Sequence, residues 1–376
     1  MAKSRFLQLH FLTAFSANNL NRDDLSRPKS FVFGATPRLR ISSQSIKRAW
    51  RISDAVHEAL AGEVGVRSRE MWFQLGAELV KAGHSTENVL AHIAPVREAF
   101  EGARKETGEE NGSEDPADAA KGKKVGKKKP SGGLDALKGD LFYFSKSERE
   151  FIRSVVIDSL TQVGTPAKAE DVAEKIKALP ASGDVAMFGR MVASNGALAI
   201  EGAVQVAHPF TVNKSVVDDD FFVAVDDLNE VGSGHMGSNG FGSGLYYGYV
   251  NVDLALLLSN LSGDVEKARK LLVALAEVIA TVAPGGKQNS FAARSYASFL
   301  MAEHGNAQPR SFADAFLTPV NKEPMTETAI SALLTARDSV ESAFPRQATK
   351  ATMVDRVRQQ GSFADVEALI CDALGV

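Results

Sequence analysis

Cationic and hydrogen-bonding side chains are concentrated in residues 38–51, around the predicted start of a helix. The stretch consists of Arg38, Leu39, Arg40, Ile41, Ser42, Ser43, Gln44, Ser45, Ile46, Lys47, Arg48, Ala49, Trp50 and Arg51. The first amide groups of a helix have no partner within the helix, so together with nearby arginines and hydroxyls they can hold a phosphate group. The alternative is an ordinary capped helix with a solvated basic face, and the spacing favours neither.

The segment before this helix offers further polar side chains. Asn18, Asn19, Asn21 and Arg22 are followed by Arg27 and Lys29. Such side chains contact sugars and phosphates, which positions a nucleic acid without reading its bases. Residues 1–60 contain ten Lys and Arg against four Asp and Glu, while the whole chain has a net charge of only −3. We therefore expect a local nucleic-acid surface in the first sixth of the chain.

Grouped carboxylates suggest a second kind of chemistry. Asp218–Asp220 and the pair Asp226 and Asp227 could hold two divalent metal ions that cleave a phosphodiester. No histidine lies at ligand spacing from these residues, so the favoured interpretation is an acidic edge that faces solvent or another subunit.

Other motifs predict no catalytic residue, no metal site and no cofactor. The glycine-rich tract 232–244 does not open a helix, and Gly285, Gly286 and Lys287 lack the spacing of a nucleotide-binding loop. The seven histidines form no metal-binding pattern. The single cysteine, Cys371, lies in a predicted C-terminal helix and is interpreted as a small core residue.

Local patterns predict the elements that position these residues. Leu7, Leu9 and Phe11 alternate with polar residues, which predicts a half-buried strand. Residues 18–40 are predicted to form a loop, and Ser42 or Ser43 can cap a helix in which residues 46, 50, 53, 57 and 60 share a face. Residues 61–100 and 141–180 have helical patterns.

The second half of the chain is richer in strand signals. Strands are predicted at 185–188, 203–207, 221–225, 245–252 and 291–301, a helix at 265–282, a turn at 284–289 and further helices within 326–374. This order is compatible with a split βαβ sheet of the ferredoxin or RNA-recognition type.

Composition limits the class of protein. Hydrophobic residues at 44% and charged residues at 24% are typical of globular proteins. The longest apolar stretch, 271–283, is too short to span a bilayer, and one cysteine fits a reducing compartment, so a cytoplasmic protein without membrane contact is expected. Residues 101–133 are acidic and then lysine-rich, which predicts disorder over 105–133.

Several motifs, in order along most of the chain, strongly resemble the CasC family, the type I-E CRISPR branch of the Cas-seven superfamily. They are the strand ending in His10, Leu20–Asp24, Phe33–Gly34, Arg40–Arg48, Phe188–Met191, Ala224–Leu228, Gly234–Gly237 and Pro284–Asn289. The lysine-rich stretch 121–129 does not belong to the family pattern.

The resemblance implies an α+β, hand-shaped subunit. A palm with an RNA-recognition-motif (ferredoxin-like) sheet would comprise residues 1–60, 181–211 and 247–376, the last including C-terminal helices. A helical fingers domain would be inserted at 61–180, and a β-hairpin thumb would occupy 212–246.

The resemblance also implies partners. Copies of the chain would polymerise along CRISPR RNA as the backbone of the Cascade antiviral complex and present the guide for pairing with target DNA. Other partners would be the large subunit, the small subunit and the subunits that bind the 5′ and 3′ ends of the guide.

The RNA-binding residues carried over from the family are Asn21, Arg22, Arg40, Ser42, Gln44, Lys47 and Arg48, with Lys287 and Gln288 as second-line candidates. Met191 would pack against a displaced base, and a buried core methionine is an equal alternative. Phe222 or Met236 of the thumb would wedge between nucleotides, since stacking stabilises by about 1–3 kcal/mol per base.

Three functions remain possible from the sequence. The first is a non-enzymatic scaffold whose affinity comes mainly from phosphate contacts. The second is a metal-dependent ribonuclease that acts on guide or target RNA, with Asp226 as a metal ligand. The third is a single-strand binder that works alone.

Overall fold

A computed structural model describes residues 2–102, 133–139, 141–192, 195–225, 227, 233–345 and 349–376. The chain divides into two compact units. Unit 1 comprises residues 1–59, 204–258 and 264–376, and unit 2 comprises residues 60–203 and 259–263. The predicted boundaries of palm, fingers and thumb stay predictions, and residues 105–132 of the predicted disordered segment lie outside the described residues.

Strands and helices are distributed along the whole chain. The strands are β1 (Phe6–Asn18), β2 (Ser30–Phe33), β3 (Thr36–Leu39), β4 (Val66–Ser68), β5 (Phe142–Phe144), β6 (Val204–Val206), β7 (Phe210–Thr211), β8 (Asp218–Val225), β9 (Ser233–Asp253), β10 (Phe299–Gly305) and β11 (Lys350–Asp355). The helices are α1 (Ser43–Arg51), α2 (Asp54–Ala59), α3 (Met71–Lys81), α4 (Thr86–Glu101), α5 (Lys146–Asp158), α6 (Ala169–Ala178), α7 (Gly183–Phe188), α8 (Leu254–Asn260), α9 (Val265–Thr281), α10 (Gln288–Phe291), α11 (Met325–Ala343) and α12 (Phe363–Leu374).

The sheet of unit 1 has the order β11-β10-β1-β9-β6, with every neighbouring pair antiparallel. Helices α1 and α2 follow β1, and α9 lies between β9 and β10 along the chain. Numbered one to four along the chain, the strands β1, β6, β9 and β10 lie side by side in the order four, one, three, two. This is the strand order of a split βαβ unit. The predicted α+β class with a ferredoxin-like sheet is confirmed.

Both faces of the sheet are covered within unit 1. On one face, β1 contacts α9 and α12, and Phe11 shares a small cavity with Ile46 and Ile279. On the other face, Leu12 belongs to a buried cluster with residues of β9, β10 and α11 and with two phenylalanines of the preceding segment, Phe312 and Phe316. The prediction that β1 is half-buried is wrong, because the segment after β10 closes the second face.

That second face contains a buried polar network. The pKa of His10 is lowered by burial, and its Nδ1 atom lies 3.0 Å from the Tyr247 hydroxyl. Burial raises the pKa of Glu303, but its neighbours hold it at about 2, below the ordinary value. Arg337 donates from Nε to the Glu303 carboxylate at 2.6 Å. A buried carboxylate that receives a charge-assisted hydrogen bond stays ionised.

Four predicted elements differ from the observed ones. The helix after Ser42 breaks into α1 and α2, because the Ser53 hydroxyl bonds to the Trp50 carbonyl at 2.7 Å and lies 3.4 Å from the Val56 amide. Residues 185–188 belong to α7 rather than to a strand, since short apolar runs do not separate the two. Strand β10 begins at Phe299, so 291–298 is wrong as a strand. Strand β11 interrupts the predicted C-terminal helices.

The other predicted strands and helices are confirmed. Residues 203–207, 221–225 and 245–252 correspond to β6, β8 and part of β9, and 265–282 corresponds to α9. Within the predicted loop 18–40, β2 and β3 form a hairpin.

Unit 2 is built mainly from helices around an aromatic core. Trp72, Phe100 and Phe144 pack together, with ring centroids 4.8–6.3 Å apart. Short strands β4 and β5 pair within this unit. The predicted helical character of residues 61–100 and 141–180 is confirmed.

None of the helices in the described ranges combines the length and the apolar character needed to cross a membrane.

Candidate RNA interface

The faces of the sheet in unit 1 are not available for base stacking. RNA-recognition domains stack bases on aromatic residues of an open sheet face. Here the His10 ring lies 4.8 Å from the Phe312 ring, and Tyr247 is packed against Phe316. A nucleic acid bound by unit 1 would therefore contact its loops, helix ends and hairpins.

The polar loop of residues 18–29 is tied to strand β9 by its asparagines. Asn18 donates to the Gly242 carbonyl at 2.9 Å, and Asn19 donates to the Gly240 carbonyl at 2.8 Å. Both asparagine side chains are buried. They brace the loop, so they are not nucleic-acid contacts, although the sequence offers them as polar candidates.

Asn21 and Ser42 form the start of helix α1. The Asn21 Oδ1 atom accepts a hydrogen bond from the Ser42 amide at 2.8 Å. Ser42 is the N-cap residue, as predicted, although its hydroxyl makes no capping hydrogen bond. The side chain that holds this helix end comes from 21 residues earlier in the chain.

Helix α1 separates an apolar face from a cationic face. Ile46 and Trp50 are buried, whereas Gln44 and Arg48 are exposed. Lys47 is half-buried, and its pKa is lowered by burial and by the positive charge of Arg51. A bound anion would relieve that repulsion, which makes this face suitable for phosphate.

Two arginines that precede the helix have opposite environments. Arg38 is fully buried and donates to the carbonyls of Thr211, Val212 and Phe316. It therefore fastens the β2–β3 hairpin to the core and cannot hold phosphate.

Arg40 is partly exposed and forms a cluster with Lys29 and His208. Its guanidinium lies 3.1 Å from His208 Nδ1. The pKa of His208 is lowered by burial, by Arg40 and by Lys29. The sequence signalled Arg40 and Lys29 but not His208, which lies about 170 residues away along the chain.

A cleft of about 910 Å³ lies beside helix α1 in unit 1. It brings together Asn21, Arg22 and Arg48 with Arg294 and the Pro284–Gly286 segment. Three carboxylates also line it, those of Asp23, Asp54 and Glu277. The cleft is therefore mixed in charge rather than uniformly basic, and Arg294 is a residue that sequence reasoning missed because 291–301 resembled a strand.

Lys287 and Gln288 directly follow the Pro284–Gly286 segment that lines the cleft. Lys287 donates from Nζ to Asn239 Oδ1 at 3.0 Å, and Gln288 donates to the carbonyls of Pro284 and Ala293 at 3.2 Å each. Gln288 thus has a bracing role. Gly286 lies against the Leu20 carbonyl so closely that a Cβ atom would stand 2.4 Å from that oxygen.

Strands β8 and β9 extend from the sheet as an exposed hairpin. The cross-strand pairs are Phe222 with Gly237 and Val223 with Met236. Because paired residues share a face and neighbours alternate, Phe222 and Met236 lie on opposite faces. The Phe222 ring covers Gly237, while Met236 is 61% exposed.

Met191 lies in unit 2, and its side chain is 88% exposed. The interpretation of Met191 as a buried core residue is therefore wrong. Its neighbours Arg190 and Val192 are buried.

The acidic residues of β8 show no metal-binding geometry. Asp218–Asp220 are exposed, and Asp219 pairs with Arg27 at 3.3 Å. Among the described residues, no group of three or more His, Cys, Asp or Glu side chains could hold a metal ion. Asp226 lies outside the described residues.

Comparisons with known proteins provide independent information. A chain of a CRISPR RNA-guided surveillance complex, pre-nicking, superimposes with a TM-score of 0.80 at 28% identity, covering 98% of this chain and 100% of that chain. A chain of another CRISPR RNA-guided surveillance complex has a TM-score of 0.58 at 24% identity, with 98% and 99% covered, and shows a shared fold. No curated protein matches the chain. The profile of the CT1975-like protein family matches residues 7–370. Because this match spans nearly the whole chain, the protein belongs to the CT1975-like family and is a CRISPR protein of the Cas-seven type.

Proposed function

We propose that the protein is a CRISPR RNA-binding backbone subunit of a type I-E Cascade surveillance complex, of the CasC kind. The observation that carries the proposal is the cationic face of α1, with Lys47 and Arg48, beside the cluster of Arg40, Lys29 and His208. The similarity to a subunit of an RNA-guided surveillance complex supports it.

The mechanism would be positioning without bond chemistry. Cations on α1 and the preceding loop would neutralise phosphates of the guide, an interaction that does not depend on base sequence. Pairing between the guide and target DNA would supply sequence specificity. The closed sheet faces support this division, because they leave no open aromatic platform in unit 1 for reading bases.

The exposed β8–β9 hairpin would mediate contact between copies of the chain. One face of this hairpin is apolar and exposed to solvent in the monomer. It carries Phe221, Val223, Val225 and Met236. A two-stranded ribbon of this kind is marginal by itself. Docking of the hairpin on the next copy and on the guide would bury that surface.

Further partners would be the large and small subunits and the subunits at the two ends of the guide, and the assembly would work in the cytoplasm. The proposal includes no catalytic residue and no cofactor.

Assembly on RNA of different lengths tests the proposal. We expect the mass of the purified complex, measured by light scattering, to rise in steps of one protein mass as the guide is lengthened. The charge-reversed variant Arg40→Glu/Lys47→Glu should lose this assembly for every guide sequence. Lys270→Glu, which reverses an exposed lysine on α9, serves as the control.

Two outcomes would contradict the proposal. A single protein mass at every RNA length would indicate a single-strand binder that works alone. Mg²⁺-dependent shortening of a labelled guide, abolished by Asp226→Ala, would indicate a ribonuclease.

A further inference from the structure

The β8–β9 hairpin leaves the sheet of unit 1 at an irregular point of strand β9. The pairing of β9 with β1 shifts register between Gly244, which lies opposite Phe15, and Gly242, which lies opposite Asn18. Such an irregularity bends a strand and increases its twist. Strand β8 is exposed along its whole length. The direction of the hairpin therefore depends on the contacts made at its base.

The first face of the hairpin base lies on the polar loop of residues 18–29. Asp219 and Gly240 are cross-strand partners and share this face. A Cβ atom on Gly240 would stand 3.3 Å from Pro28 Cδ and 3.4 Å from Arg27 Cγ. The Arg27 Nη2 atom lies 3.3 and 3.4 Å from the two carboxylate oxygens of Asp219. The aliphatic stem of Arg27 thus packs on the hairpin, while its guanidinium pairs with β8.

The second face of the hairpin base is held by a different segment, at the start of α10. Lys287 donates from Nζ to Asn239 Oδ1 at 3.0 Å, and the rings of Phe241 and Phe291 lie 5.8 Å apart. Asn239 and Phe241 occupy alternate positions of β9, so they lie on the face opposite the loop. Contacts from the loop and from α10 therefore clamp the hairpin base from both sides.

Both cations of this clamp lie beside the proposed guide contacts. Arg27 belongs to the same loop as the candidate contact Arg22, and its amide donates to the Asp23 carboxylate at 2.9 Å. Its carbonyl accepts from the Asp23 amide at 2.8 Å, which fixes the backbone at this position. Lys287 directly follows the Pro284–Gly286 segment that lines the cleft. A phosphate group that approaches either cation must compete with the hairpin for it.

The Arg27 ion pair is suited to such competition. The side chains of Arg27 and Asp219 are 43% and 56% exposed, and an ion pair this open to water contributes little stability. A guanidinium can meet a phosphate with two parallel hydrogen bonds, and the release of counterions favours binding further. A carboxylate and a phosphate repel each other, so a phosphate group at Arg27 would displace Asp219.

We propose that Arg27 and Lys287 have two alternative partners, the hairpin base in the free protein and the phosphates of the guide in the assembly. Asp219 and Asn239 are then positioning residues, which act on RNA binding through these cations. The inference rests on the proposed function, since the phosphates belong to bound RNA. Once both cations bind phosphate, the hairpin is free to bend at the irregular point of β9.

This exchange couples docking between copies to bound RNA. The clamp contacts must break before the hairpin can change direction. Phosphate stabilises the open state because it binds the released cations, and a ligand shifts such an equilibrium only through its different affinity for the two states. Copies therefore dock on one another in the presence of a guide more readily than in its absence.

Binding of a short labelled oligouridine, followed by fluorescence anisotropy, tests the competition. Asp219→Asn removes the competing charge and should tighten binding by about twofold to fivefold, the contribution of one exposed ion pair. Asp218→Asn makes the same charge change on the opposite face and is the matched control, with an expected change below about 1.5-fold because the solvent screens it. In an Arg27→Met background, Asp219→Asn should have no more effect than this control. Equal affinities of the two asparagine variants would refute the positioning role of Asp219.

Distances between spin labels test the release of the hairpin. Nitroxides on His235→Cys of the hairpin and Lys270→Cys of α9, in a Cys371→Ala background, both lie in unit 1. Double electron–electron resonance should give a narrow distance distribution in the free protein and a broader one when oligouridine is bound to a single copy, as verified by light scattering. Asp219→Asn/Asn239→Ala should broaden the distribution without RNA.

The outcomes separate this inference from the proposed function. An unchanged distance distribution in a protein that retains oligouridine would overturn the inference and leave the proposed function standing. Failure of the wild-type protein to bind any RNA would instead refute the proposed function.

Discussion

Replacement of Lys47 by methionine tests the proposed phosphate contact without destabilising the fold. Methionine keeps the aliphatic stem of this half-buried side chain and removes its charge. The pKa of Lys47 is lowered by burial and by Arg51, so the ammonium group is unfavourable in the free protein. We therefore expect Lys47→Met to unfold at the same temperature as the wild type or slightly higher.

RNA affinity should fall by an amount that the salt dependence predicts. Each phosphate neutralised in a single strand contributes a slope of about −0.7 to the plot of log K against log salt. At about 0.1 M salt the loss of one contact therefore lowers affinity about fivefold, or about 1 kcal/mol. Fluorescence anisotropy with a short labelled guide, read at several salt concentrations, measures both quantities.

Lys270→Met is the matched control, because Lys270 is an exposed lysine of α9 that lies 3.9 Å from Glu266. Its slope and affinity should equal those of the wild type. If Lys47→Met keeps the wild-type slope, then Lys47 does not contact phosphate and the assignment of the α1 face is refuted.

Three further perturbations have defined outcomes. Asn21→Ala should lower the free energy of unfolding by about 1 kcal/mol in a denaturant titration, since the Ser42 amide loses its acceptor. Asn21→Asp keeps an acceptor oxygen, so it should retain stability, but its negative charge should weaken RNA binding. The pKa of His208 is lowered below its ordinary 6.5 in the free protein and would be raised by a bound phosphate. Affinity should therefore increase as the pH falls from the pKa of the bound state towards the lower pKa of the free protein, and His208→Gln should abolish that increase. Gly189→Ala should lower the thermal midpoint by the equivalent of about 2 kcal/mol, while Gly196→Ala, where a Cβ meets open space, should be neutral.

Local sequence patterns predicted much of the fold. The alternation in residues 7–12 placed β1, the 3.6-residue period placed α1 and α9, and the element order indicated the split βαβ sheet. Those signals are local, because the residue pattern that predicts each strand or helix lies within that element. The errors at α7 and β11 occur where short apolar runs leave helix and strand equally possible. Strand β10 begins only at Phe299, where pairing with β1 begins, and that long-range pairing has no local signal.

The candidate site was predicted less completely. Of the predicted RNA contacts on α1, Gln44 and Arg48 are exposed and Lys47 is half-buried. Ser42, also predicted as a contact, is the N-cap residue of α1 and is bonded through its amide, whereas the predicted contact Gln288 braces the chain through its side chain. Whether any of these residues touches RNA stays a prediction.

The sequence by itself determined that a basic helix begins near residue 42 and that an apolar strand lies at 221–225. Both features follow from residue type and spacing within a short stretch of sequence. Only the tertiary structure decided which cations are accessible. Arg38 and Arg40 are two residues apart. Both Nη atoms of the buried Arg38 donate to carbonyls of residues 211, 212 and 316, while Arg40 is partly exposed beside His208. A hydrogen-bonding partner 168 or more residues away has no local signature, because folding alone brings the two segments together.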